Sequence, residues 1–405
     1  MTMRTSSTPP ASPPASPPAS PPASPPTPGR RARRRIGSVG LAAVAASVTL
    51  AAVAAAPGYA AATPTHPTHP THRFTVTNLV SDVPGVAPTT DPNLVNPWGT
   101  SELPAGPLWV SDQGTGVSTL YTGDVSGTPL TPVPLVVTIP GGSPTGQVFN
   151  GNFMTAPGDF TVSAGAQSGP AVFIFASLAG QISGWNPGVG AAAAGVNSTT
   201  AEVAATVPGA AFTGLAIDGA TLYAADFGNG SVDVFNSAFQ RVATPGAFVD
   251  RALPAGFKPF NAQAVNGNIL VTYAKPDPQT GKAENVIGAG FVDVFSPQGV
   301  LLRRLIRGGV LDSPWGLVIA PSSFGAFSGD LLVGNFGDGF INAFDPASGR
   351  FLGALRDARG RLIHEDRLWS LILGDGAAAT PQTVLFTAGI DNEQHGLIGS
   401  IVPAG

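Results

Sequence analysis

The chain has no cysteine, three methionines and five histidines among 405 residues, and charged side chains make up only 11% of it. Without thiols it has no disulfide framework, no thiolate metal site and no cysteine nucleophile. Four signatures are also missing: a Gly-x-Ser-x-Gly elbow, His-Glu-x-x-His, a Gly-x4-Gly-Lys phosphate loop, and Gly-x-Gly-x-x-Gly after a strand. Their absence disfavours elbow-type serine hydrolases, zincins, P-loop nucleotidases and dinucleotide enzymes. The first 62 residues contain no acid, so the rest of the chain carries 14 basic against 24 acidic residues, a net charge of −10. That balance argues against nucleic acid as a partner.

Glycine and proline are abundant, at 52 and 41 residues. They are unevenly used. Residues 1–35 hold a Pro-Ala-Ser tract, which favours extended polyproline II and has little to bury, and then Arg30, Arg31, Arg33, Arg34 and Arg35. Residues 36–62 open with an uncharged run to Ala56 and end in small residues at Ala60 to Ala62. Basic, apolar and small-residue regions in this order predict an export signal, and therefore a secreted or cell-envelope bacterial protein with no membrane span after cleavage. Left uncleaved, the run would serve as a membrane anchor. Residues 63–72, TPTHPTHPTH, read as a Pro/His linker.

Residues 73–405 repeat one unit, clearest from Phe212 to Arg241. Apolar runs at Leu215 to Ile217 and Leu222 to Ala225 are cut by Asp218-Gly219 and closed by Asp226. After a Gly228 and Gly230 turn, Val232 to Phe235 resumes the alternation of a half-buried strand. Counterparts of the first strand begin near Trp98, Phe160, Phe260, Trp315 and Leu368, a period of about fifty residues, in the range of propeller blades. The sixth unit lacks a fourth strand, and Arg73 to Ser81 has no unit of its own. The expected fold is therefore all-β, a six-bladed β-propeller whose N-terminal strand closes the last blade.

In LYAADFGNGSVDVF, and more weakly in PLWVSDQGTGVSTLY and DLLVGNFGDGFINAF, an Asp or Asn closes a strand before a Gly-rich turn, and here the chain resembles NHL-type propellers. PTGQVFN (Pro144 to Asn150), FIFAS with GQISGWNP, and TAGIDNEQHGLIGSI resemble an uncharacterised family of exported bacterial propellers. That resemblance implies a fold and an address but no reaction. Gluconolactonase-type propellers hold a divalent cation with a Glu, an Asn and an Asp; where their first glutamate would stand, this chain has Trp98-Gly99-Thr100.

One end of the propeller should collect the candidate residues. Trp98, Trp315 and Trp369 recur where first strands begin, either as wedges between blades or as a stacking platform for a flat ligand. The Asp/Asn-x-Gly-x-Gly turns read as structural, since calcium loops need oxygen ligands where these have glycine. Lys275 to Gly290 enlarges the fourth blade and brings Lys275 and Lys282 to the same face. Asp391, Glu393 and His395 form the densest ionisable set, candidates for catalysis or for a divalent cation, calcium or zinc, completed by Asn150, Asn261 and Gln263. The leading expectation is a monomeric, non-catalytic binding or scaffold propeller recognising an unknown ligand, protein or polysaccharide. The alternative is a metal-dependent hydrolase or lactonase at the channel mouth.

Overall fold

The computed structural model describes residues 72–193 and 195–404, all within the second of two units into which the chain divides, residues 65–405. The expected signal and most of the expected linker lie outside the described residues.

Six antiparallel sheets follow one another around an axis. The third blade is the unit singled out above: Phe212–Asp218, Thr221–Asp226, Ser231–Phe235 and Arg241–Val242, in that spatial order. Asp218 pairs with Thr221 across a tight turn in which Gly219 takes φ +55°, a conformation that glycine adopts without a Cβ penalty. Blades one, four and five begin with the inner strands Pro97–Glu102, Lys258–Val265 and Pro314–Ile319. Blade six combines Leu368–Leu373, Val384–Ala388 and Leu397–Pro403 with the N-terminal strand Arg73–Ser81, which runs antiparallel to Leu397–Pro403 from Phe74 opposite Pro403 to Ser81 opposite Leu397. The ring is thus closed by its own first strand, and the last blade has no open edge at that point.

Blade two departs from the sequence reading. Its inner strand is Pro144–Phe149, and Thr161–Ala164 instead pairs with Gln167–Pro170 in a separate two-stranded hairpin. Phe160 and Val162 are buried against blade three, so the segment alternates as an inner strand would while lying in an insertion. Pro144-Thr145-Gly146 resembles a turn but opens a strand, where proline is tolerated.

Six apolar clusters fill the six seams between blades. A seventh sits on the axis: Trp98, Phe227, Phe260, Trp315, Phe336 and Trp369. Just inside it the inner strands converge at Gly99, Gly146, Gly214, Asn261, Gly316 and Ser370. A Cβ at Gly99 would stand 2.5 Å from Thr145 O and one at Gly316 2.5 Å from Trp369 O, with equivalent collisions at Gly146 and Gly214. At the other two positions Asn261 Nδ2 donates to Trp315 O at 2.8 Å, and the Ser370 hydroxyl shares a 2.6 Å hydrogen bond with Thr100. This ring is the throat of the channel. Among the described residues no helix is long and apolar enough to cross a membrane.

Candidate functional site

The mouth of the channel, above the throat, is a cavity of about 560 Å³. Its floor is aromatic. Trp98 and Trp369 stack at 3.5 Å between ring centroids, Phe336 packs on Trp369 at 4.2 Å, and Trp315 stands edge-on to both indoles. Edge-on contacts such as those of Trp315 are favourable beyond the area they bury. The rings pack chiefly on one another. Trp369 Nε1 donates to Asn96 Oδ1 and Trp315 Nε1 to Thr213 O, both at 2.9 Å, whereas Trp98 Nε1, on a side chain only 6% exposed, has no partner.

The wall is built by the turns between second and third strands. Each sends the residue after its closing Asp, Asn or Ser to the cavity or the plug below it: Gln113, Leu178, Phe227 and Phe336. The turns themselves are held locally. Asp226 accepts from the backbone N–H groups of Ala211 and Asn229, and Asn335 donates to Asp338 and to Val310 O. This is the structural role expected of those side chains.

The fourth-blade segment reaches over the cavity as a strap. Its base is tied by Lys275 to Glu284 at 3.1 Å, by Ser313 Oγ donating to Glu284 O, and by Val286 N–H donating to Asp312. Its tip is a turn in which Asp277 accepts from the N–H groups of Gln279 and Thr280. From that tip Lys282 meets Glu393 of blade six at 2.5 Å.

Glu393 is placed there by an unusual backbone. Asp391, Asn392 and Glu393 take φ of +53°, +57° and +70°, three successive non-glycine residues in the left-handed region. Left-handed conformation costs about 1–2 kcal/mol per such residue. Strain of this kind concentrates at ligand clamps and active sites. It turns the Glu393 carboxylate inward, leaving its side chain 10% exposed, while Asp391 stays at the surface. Asn96 Nδ2 donates to Gln113 and, at 3.4 Å, to Glu393, joining floor, wall and strap in one network. Arg367 lies 5.1 Å from the Phe336 ring centre and donates to Asn392, holding the strained turn from below.

Several sequence-predicted residues lie elsewhere. His395 is not beside Glu393 but 2.7 Å from Asp82, whose hydrogen bond raises the imidazole pKa above its ordinary 6.5. Asn150 ends the inner strand of blade two at the opposite side of the disc, donating to Ala171 O and accepting from Asn152 N–H. Asn261 is spent on the throat, and Gln263 lines the channel below it. Lys275 serves the strap's base. The trio Asp391, Glu393 and His395 therefore diverges: the left-handed turn sends Glu393 into the cavity and Asp391 to the surface, while His395 turns to Asp82. Among the described residues no three His, Cys, Asp or Glu side chains are placed to share a metal ion. The signal for Asn96, Gln113, Phe227 and Phe336 was present: they follow or precede strand ends at matching places in the repeat.

No protein-family model matches the chain. An uncharacterized protein of Acanthamoeba polyphaga mimivirus is 34% identical over 337 residues, covering 80% of this chain and 78% of its own length. The chain belongs to the family of that mimivirus protein. A second uncharacterized mimivirus member of this family is 32% identical over 336 residues, covering 81% of this chain and 85% of its own. Among solved structures, a Bacteroides thetaiotaomicron protein of unknown function matches with a TM-score of 0.49 at 11% identity, over 81% of this chain and 76% of that one. The expectation of an exported bacterial protein, drawn from residues 30–62, is overturned by this family: the relatives found are viral.

Proposed function

We propose that the protein is a non-catalytic binding propeller that takes a small, uncharged, polyhydroxylated ligand, such as a sugar ring, into the mouth cavity. The observation that carries this reading is a cavity of about 560 Å³ whose aromatic floor is rimmed by carboxamides and crossed by the Lys282 to Glu393 pair. Sites of this size with an apolar base and a few convergent polar groups suit drug-sized or monosaccharide-sized ligands. Trp98 lines this cavity, so its indole is placed to report a bound ligand. In this reading the residue after the closing Asp or Asn of each turn, Gln113, Phe227 or Phe336, meets the ligand.

The test is titration of intrinsic tryptophan fluorescence with a panel of mono- and oligosaccharides, each incubation then checked chromatographically for products. Saturable quenching by a subset, lost in Trp98→Phe, is the expected result. A panel that leaves the emission unchanged sinks the ligand class, and product formation sinks the non-catalytic part.

A further inference from the structure

In the seam between blades three and four, two acids face one arginine. Asp250 lies on the connection 243–257 between those blades, and Arg304 of the outer strand Leu301–Arg307 grips it: Nε is 2.7 and 2.6 Å from the two carboxylate oxygens, and Nη2 is 2.5 Å from Oδ1. Asp293, on the third strand Phe291–Phe295, stands directly opposite Arg304 in the ladder and so on the same face. It is 1% exposed, and its Oδ2 has no hydrogen-bond partner. The other groups facing it are few. Tyr273, opposite Phe291 in the same blade, brings a buried hydroxyl, and Arg307 brings a second positive charge. Blade three presents Val232, Val234 and Tyr223, whose hydroxyl donates to Pro297 O, while its Asp233 lies opposite Ala224 and faces the other seam.

We propose that Asp250, Arg304 and Asp293 form a proton-operated switch, in which ionised Asp293 draws Arg304 away from Asp250 and frees the 243–257 connection from the seam. The Arg304 fork is spent on Asp250, so a charge on Asp293 is uncompensated where it stands. Burial, and then the charge of Asp250, raise the Asp293 pKa to about 7; burial acts on Asp250 too, but the Arg304 hydrogen bonds outweigh it and hold that carboxyl low. The closed form keeps the Asp293 proton and the open form has lost it to solvent. Because the closed form binds one proton more, each pH unit above the Asp293 value favours opening by up to about tenfold. The connection is built to move. Gly246 and Gly256 bracket it at φ of +79° and +92°, and a cavity of about 540 Å³ runs along Ala247, Phe248 and Val249. Its remaining ties are short: Phe248 N–H donates to Gly299 O at 2.8 Å, and Ala252 N–H to Asp250 itself.

The experiment is amide hydrogen exchange of the full chain at pH 6 and pH 8.5, read by mass spectrometry on peptides covering 247–253 and corrected for intrinsic rates, with the blade-three strand Thr221–Asp226 as control. Protection of 247–253 should fall about tenfold or more between the two pH values, and that of the control should not change. Asp293→Asn, which cannot ionise, should keep the segment protected at both. Arg304→Gln, which removes the contested cation, should leave it unprotected at both. Protection of 247–253 that does not depend on pH overturns the switch and assigns the ionised Asp293 to Arg307 instead, and a full pH response in Asp293→Asn overturns it as well. If that variant does not fold, Asp250→Asn decides: with the competing carboxylate gone, protection should be low and flat with pH, and a persisting fall refutes the exchange of partners.

Discussion

Asp82 and His395 are 313 positions apart in sequence and 2.7 Å apart in the folded chain. Asp82 follows the closing strand and His395 precedes the strand that it closes upon. The same carboxylate accepts from Gly396 N–H at 2.8 Å, and Ser81 Oγ donates to Gly396 O at 2.7 Å. The clasp locks the two ends of the ring. Asp82→Ala should therefore let residues 73–81 exchange their amide protons earlier than the other blades, while blades two to five keep wild-type protection. Uniform protection in the variant would show that the strand's ladder alone closes the ring. Since the Asp82 hydrogen bond raises the imidazole pKa above 6.5, the His395 contribution to the clasp is fully present below that value and is lost as pH rises through the raised one.

Buried acids set the wider pH dependence. Burial, with a neighbouring carboxylate in three cases, pushes Glu102 to about 9, Asp293 and Glu365 to about 7, and Asp312 to about 6. Each binds its proton more tightly folded than unfolded, so its contribution is present below the ordinary carboxylate range and is lost as pH rises through the folded value. His395 acts in the same direction. At the acid end, Asp277 and Asp345, whose pKa values are lowered by the Thr280 N–H and the Ser348 hydroxyl, lose their contribution below about pH 4. The melting temperature should peak near pH 5 and fall toward pH 9. A flat or rising curve over that interval would contradict the burial of these groups.

The throat tolerates no side chain at its glycines. Gly316→Ala, whose Cβ would meet Trp369 O at 2.5 Å, should cost about 1–3 kcal/mol in urea unfolding. Gly151→Ala, with nothing near the new methyl, is the control and should be neutral within about 0.5 kcal/mol. Equal midpoints for the two variants would refute a close-packed throat.

The strap bridge should matter for access more than for stability. Lys282 is mostly exposed, so the pair with Glu393 is screened and contributes at most about 1 kcal/mol. Lys282→Ala is expected to leave the melting temperature within error and to speed limited proteolysis between Lys275 and Gly290. Unchanged cleavage would mean that the strap's base, not its tip, holds it down.

Much of this was legible in the chain. Strand lengths, the Asp218-Gly219 turn and the orphan strand Arg73–Ser81 are local patterns, and local patterns with a missing partner implied ring closure. Blade two was misread because alternation reports burial of one face, and Phe160 and Val162 bury a face in a hairpin as well as an inner strand would. The Pro-x-Gly pattern of Pro97 to Gly99 and Pro314 to Gly316 recurs at Pro144 to Gly146, and it would have found the true strand.

The candidate site was half visible. Repetition identified the tryptophans and the turns, since each recurs at the same place in three of the six blades. It could not show that Glu393 turns inward while His395 turns to Asp82, because that depends on three left-handed residues whose φ no alternation encodes. The sequence by itself determined the number of blades, the closing strand and the aromatic character of one channel end, all properties of local period and composition. Only the tertiary structure decided which polar groups meet, such as Asn96 with Trp369 and Asp82 with His395, because those contacts join residues whose separation in the chain carries no information about their distance in space.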